Sequence, residues 1–83
     1  MLKAIIVDDE PDCVKLLALQ LKMYCPQVQV VAACTASEDA LLKIKELQPG
    51  IVFLDIEMPV MNGFQLLEKL GNITFSLVFV TAY

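Results

Sequence analysis

Apolar residues run along this chain in two rhythms. Short continuous runs, β-branched and four to seven residues long, alternate with longer stretches in which apolar positions recur every three or four residues. "LKAIIVD" predicts a first strand over Lys3 to Val7. In "PDCVKLLALQLKMY", Val14, Leu17, Ala18 and Leu21 recur at i, i+3, i+4 and i+7, the spacing of one helix face. Pro11 suits the first helical position, where its missing N–H costs nothing, and Cys25-Pro26 closes the helix. Val28 to Cys34 predicts a second strand. Thr35 and Glu38 have the spacing of a capping box, with Ser37 a competing cap, ahead of a helix whose apolar face is Ala40, Leu41, Ile44 and Leu47. Pro49-Gly50 breaks it. "IVFLD" predicts a third strand, "MPVMNG" a loop, and Phe64, Leu67 and Leu70 a third helix that Gly71-Asn72 ends. "SLVFVTAY" supplies a fourth strand, Leu77 to Thr81.

The order is βαβαβαβ. Helices between continuously apolar strands predict a parallel sheet covered on both faces, an α/β domain with right-handed crossovers. Eighty-three residues make one small domain, taken as residues 1–83. The 58% hydrophobic content is high for that size and fits strands buried from both sides. The net charge of -4 argues against a phosphate-backbone binder, which needs a basic face. With no His, a His-based metal site is excluded. Cys13, Cys25 and Cys34 are odd in number and lack paired spacing, as expected of free thiols in a reducing cytoplasm. No run is apolar for the ~18 residues that a membrane span requires.

The chemistry lies where the apolar runs stop. Asp8 and Asp9 follow the first strand in "IIVDDEP", and Asp55 ends the third in "VFLDIEMPVMNGF". One Asp after a strand is ordinarily a turn former or helix cap. Two acidic clusters, each ending an apolar run in a βα pattern, point further. In open parallel sheets ligands bind beyond the carboxyl ends of the strands. If the first and third strands are neighbours, three carboxylates converge there. They would repel one another and hold their protons more tightly unless a cation intervened. No Lys or Arg neighbours them in the sequence. A hard divalent ion such as Mg²⁺, which takes few protein carboxylates and keeps several waters, is the natural partner. A carboxylate beside a metal and a phosphate can act as nucleophile and form an acyl phosphate. Thr81 could donate its hydroxyl to a phosphoryl oxygen. Pro59 and Asn62-Gly63 have a plain turn reading, with Gly giving tight backbone geometry.

Together "IIVDDEP", "VFLDIEMPVMNGFQLL" and "LVFVTAY" resemble the receiver domain of bacterial two-component response regulators, over the whole chain. The wording of the third-strand region is most similar to the LytTR class, whose members carry a C-terminal DNA-binding domain. The resemblance implies a flavodoxin-like doubly wound sheet of strand order 2-1-3-4-5. It implies that Asp55 is the phosphoacceptor, Asp9 a direct Mg²⁺ ligand, and Asp8 an acid acting through metal-bound water. Glu57 would complete the metal shell through its backbone carbonyl, and Thr81 would turn its hydroxyl toward the phosphoryl group. The implied donor is a phosphohistidine on a sensor histidine kinase, with the receiver catalysing transfer to its own Asp rather than turning over a substrate. An attached effector would transmit the switch. No membrane contact and no direct nucleic-acid contact by this segment are expected.

Helix four, strand five, helix five and the family's Lys after strand five have no counterpart in these 83 residues. On that ground the fourth strand is expected to present an open edge, prone to pairing with a second copy or to exchange of elements. Two other functions remain as alternatives. One is a receiver-like interaction module without phosphotransfer, which would be expected to lose the strand-end acids. The other is an aspartyl-phosphate phosphohydrolase, since Asp55-Ile56-Glu57 faintly resembles the D-x-D of haloacid-dehalogenase-like phosphatases. The early acid pair has no place in that pattern.

Overall fold

A computed structural model of the chain describes residues 1–80. Four strands and three helices alternate: β1 (Leu2–Val7), α1 (Pro11–Tyr24), β2 (Val28–Cys34), α2 (Ser37–Leu47), β3 (Ile51–Asp55), α3 (Gly63–Leu70) and β4 (Ser76–Val80). The strands form one parallel sheet in the order β2-β1-β3-β4. This is the flavodoxin-like arrangement expected from the sequence. Thr81, the expected end of the fourth strand, lies outside the described residues.

The chain leaves β1 toward β2 on one side and leaves β3 toward β4 on the other. The direction of winding therefore reverses between β1 and β3, and a crevice opens beyond their carboxyl ends. β1 is sandwiched, and Ala4, Ile5, Ile6 and Val7 are all within 1% of full burial. Successive side chains of a strand point to opposite faces. Ile5 and Val7 accordingly pack with Ala40, Ile44, Val52, Leu54 and Leu66 under α2 and α3. Ile6 packs with Val14 and Leu21 of α1 on the other face. This two-sided burial is why β1 reads as an unbroken apolar run instead of an alternating one.

Helix boundaries follow local chemistry, with two corrections. The Thr35–Glu38 box does not form, and Ser37 does not cap either. The N-cap of α2 is Ala36, with no side-chain cap, and Ser37 is the first helical residue. The third helix turns differently from the Phe64, Leu67, Leu70 expectation. Leu66 is the residue fully buried, while Phe64 is 56% exposed and its ring lies 5.6 Å from that of Phe79 on β4. An eight-residue helix lying across a sheet edge buries one narrow line of side chains. Leu67 and Leu70 only flank it. At the other end of the domain α2 stops where Gln48 adopts a left-handed conformation (φ 48°), just before Pro49-Gly50. Among the described residues β4 pairs only with β3, and Val78 and Phe79 are each about two-fifths exposed.

Candidate functional site

The pairing of β1 with β3 places Val7 beside Leu54, so the residues that follow emerge side by side in the crevice. Asp8, Asp9 and Asp55 each bring a carboxylate oxygen to within 4.8 Å of the other two. This is the convergence expected if the first and third strands were neighbours, as they are. Asp8 is buried, and Asp9 and Asp55 are half-buried.

Two of the acids are aimed by the same local device. The Glu10 amide donates to Asp8 Oδ1 at 3.0 Å, and the Glu57 amide donates to Asp55 Oδ1 at 3.2 Å. An Asp that accepts from the backbone two residues on closes a small turn and fixes its own side-chain torsion. One oxygen of each carboxylate is thus engaged. The Asp8 amide, in turn, donates to the Cys34 carbonyl at the end of β2, which ties the start of this loop to the sheet.

Electrostatics make the cluster a site in need of a cation. The Asp55 carboxyl holds its proton more tightly than an ordinary carboxylate. Burial is the chief cause, and the Glu57 amide opposes it. The charge of Asp8 and a hydrogen bond and charge from Asp9 add to the rise. The groups that chiefly shift it are acids and a backbone amide. Three hard oxygen donors this close together fit a hard divalent cation that supplements few protein ligands with water. Asp8, Asp9 and Asp55 are the residues placed to hold it. The Glu57 side chain is exposed and its amide orients Asp55; the atom the resemblance assigns to the metal shell is its backbone carbonyl, two residues along the chain from Asp55. Thr81 lies outside the described residues.

The loop behind Asp55 is tightly built. Gly63 N–H donates to the Ile56 carbonyl at 2.9 Å, so the start of α3 folds back against the end of β3. A Cβ on Gly63 would lie 2.9 Å from the Asp55 carbonyl oxygen and 3.1 Å from Ile56 Cα. Glycine is needed here for close approach of two backbones, a more specific reason than general turn geometry. The plain turn reading of Asn62 also missed a cap. Asn62 Oδ1 accepts from the Gln65 amide, and Gln65 Oε1 accepts from the Asn62 amide, each at 2.9 Å. This is a reciprocal capping box, and the N-x-x-Q spacing was there to be read. Ser37 is a second residue that sequence reasoning did not connect with the site. Its hydroxyl donates to the Met61 carbonyl in this same loop.

The sequence model of the response regulator receiver domain family matches residues 4–83. The chain belongs to that family. This receiver domain is 40% identical to a response regulatory protein of Vibrio cholerae, over 100% of the chain and 35% of the relative. It is 43% identical to a protein-glutamate methylesterase/protein-glutamine glutaminase of Agrobacterium fabrum, over 82% of the chain and 19% of the relative. Among solved structures, a LuxR-family DNA-binding response regulator from Staphylococcus aureus superposes with a TM-score of 0.89 at 26% identity, covering 100% of this chain and 70% of that one. The receiver domain thus spans only about a third or less of these curated relatives, one of which is named for esterase chemistry. No helix of the described residues is long and apolar enough to cross a membrane.

Proposed function

We propose that this receiver domain accepts a phosphoryl group on Asp55, in a reaction that requires Mg²⁺ held by Asp8, Asp9 and Asp55. The observation that carries the reading is the meeting of three carboxylates within 4.8 Å at the switch point of the sheet. A phosphohistidine of a sensor kinase is the donor. An Asp55 carboxylate oxygen attacks phosphorus, the phosphorus–nitrogen bond breaks, and the histidine nitrogen keeps the electron pair. A divalent cation held by Asp8, Asp9 and Asp55 would supply neutralisation of charge on the transferring group. The protein's own part is orientation. The Glu57 amide fixes one Asp55 oxygen, and burial with the neighbouring acids raises the energy of the bare carboxylate, so that a cation beside it is favoured.

The family's partners enter on the same footing. The kinase acts on the domain in the cytoplasm, and the phosphorylated state switches an attached effector. The LytTR resemblance makes that effector a DNA-binding one and the process transcriptional regulation. For the chemistry, the parent protein is incubated with Mg²⁺ and a small phosphodonor and its intact mass is followed. One phosphoryl group should add to the wild type and none to Asp55→Asn. An equal gain in Asp55→Asn, or a gain unaffected by EDTA, would overturn the proposal.

A further inference from the structure

The loop after Asp55 contains a turn that a branched side chain avoids. The Met61 amide donates to the Pro59 carbonyl at 2.7 Å across Val60, whose φ is 69°. A three-residue γ-turn with positive φ is strained, and more so for a β-branched residue. Val60 is 93% exposed, so no packing of its own side chain holds it there. Such a conformation persists only where the surroundings impose it.

The surroundings are identifiable. Met58 and Met61, on either side of the turn, are buried in the cluster under α2 and α3. The Ser37 hydroxyl donates to the Met61 carbonyl, and Met58 Sδ lies 3.7 Å from the same hydroxyl oxygen. Among the described residues, the hydrogen bonds that tie residues 56–62 to anything beyond the flanking β3 and α3 all involve this one hydroxyl. Ser37 is itself 5% exposed, at the start of a helix that has no side-chain cap. A serine at a helix start ordinarily serves the helix. Here its hydroxyl serves the loop.

We infer that Ser37 is a positioning residue: its hydroxyl clamps the strained Pro59–Met61 turn and thereby holds the segment whose Glu57 amide orients Asp55. The inference rests on the reading of Asp55 as phosphoacceptor for its consequence, though not for its geometry. Without the clamp the turn relaxes about Val60, the Glu57 amide loses its fixed place, and the metal site loosens. The effect falls on assembly of the site and leaves the nucleophile itself intact.

The test uses the full-length protein, with Ser37→Ala, Ser37→Thr, Val60→Gly and the Ser37→Ala/Val60→Gly pair. Amide exchange at Met61 and Gly63, Mg²⁺ affinity, and phosphoryl uptake from a small phosphodonor are measured for each. Ser37→Ala should speed exchange and weaken Mg²⁺ binding by about fivefold, the ratio that a neutral hydrogen bond of ordinary net strength represents. Uptake at saturating Mg²⁺ should stay near wild type. Ser37→Thr should restore Mg²⁺ affinity. Val60→Gly should recover much of the loss in the Ser37→Ala background, because an unstrained turn needs no clamp and the two sites are then coupled. Should the threonine methyl overfill the site, that double-variant comparison still decides. If Ser37→Ala lowers thermal stability but leaves Mg²⁺ affinity and loop exchange unchanged, Ser37 serves only α2 and the inference is overturned. A wild type that neither binds Mg²⁺ nor takes a phosphoryl group overturns the phosphoacceptor reading instead. The exchange rates then still support or overturn the clamp.

Discussion

Replacing Asp55 with Asn removes one of three crowded negative charges while keeping the shape of the side chain. In metal-free solution at neutral pH the variant should therefore be more stable than the wild type. Charges about 4.8 Å apart repel by about 1 kcal/mol at the dielectric constant of water and about 3.5 kcal/mol at an effective value of 20. Asp55 is half-buried and screened, which places each of its two pairs near the lower figure. The expected gain is about 1–2 kcal/mol. The Asn carbonyl oxygen can still accept from the Glu57 amide, so that hydrogen bond offsets nothing. Urea unfolding in EDTA measures the difference directly.

Two further features belong to the same prediction. Burial, then Asp8 and Asp9, raise the Asp55 carboxyl against the opposing Glu57 amide. The folded state therefore takes up this proton at higher pH than the unfolded chain does. Wild-type stability falls as pH rises through the raised value and is recovered as pH drops below it. The advantage of Asp55→Asn should be full above that value, shrink as pH falls below it, and vanish below the ordinary carboxylate value of the unfolded chain. Mg²⁺ should reverse the order. A ligand at one hundred times its Kd stabilises the folded state by about 2.7 kcal/mol, and the variant forgoes most of this. Destabilisation by Asp55→Asn in EDTA at neutral pH, or equal stabilisation of both proteins by Mg²⁺, would refute the electrostatic account of the site.

Three other predictions concern the frame that holds the site. Gly63→Ala should cost about 1–3 kcal/mol in urea unfolding, because the new methyl meets the Asp55 carbonyl oxygen at 2.9 Å and backbone must shift. Asn62→Ala should cost about 1 kcal/mol through loss of the α3 cap, with Asn62→Gly retaining much of the difference. Cys34 is 1% exposed, and burial followed by the neighbouring Asp39 carboxylate pushes its thiol up to about 11. At mildly alkaline pH a thiol reagent should modify the exposed Cys13 in native protein and reach Cys34 only on unfolding, as peptide mass mapping would show.

Much of this domain was legible along the chain because its signals are local. The runs of Ala4 to Val7 and Ile51 to Leu54 are apolar at every position, which only a strand covered on both faces requires. Pro11, Cys25-Pro26 and Pro49-Gly50 bound helices through their own backbone chemistry. Asp8, Asp9 and Asp55 announced a site because two acidic clusters, each ending an apolar run in a βα pattern, exceed what a single turn former or cap explains. Their meeting depended only on β1 and β3 being neighbours. What the sequence left open was decided by contacts between distant segments. Nothing in "TASED" says that the Ser37 hydroxyl will bypass its own helix for a carbonyl twenty-four residues away, since that choice exists only once α2 and the β3–α3 loop are packed together. The same holds for Gly63, whose necessity comes from the backbone it approaches, and for Leu66, which is buried in place of Phe64 because the sheet fixes how the short third helix is turned. Local propensity selected the elements and put the acids at their ends. Packing determined which hydrogen bonds hold those acids in position, because a hydrogen bond needs both partners in place before it can form.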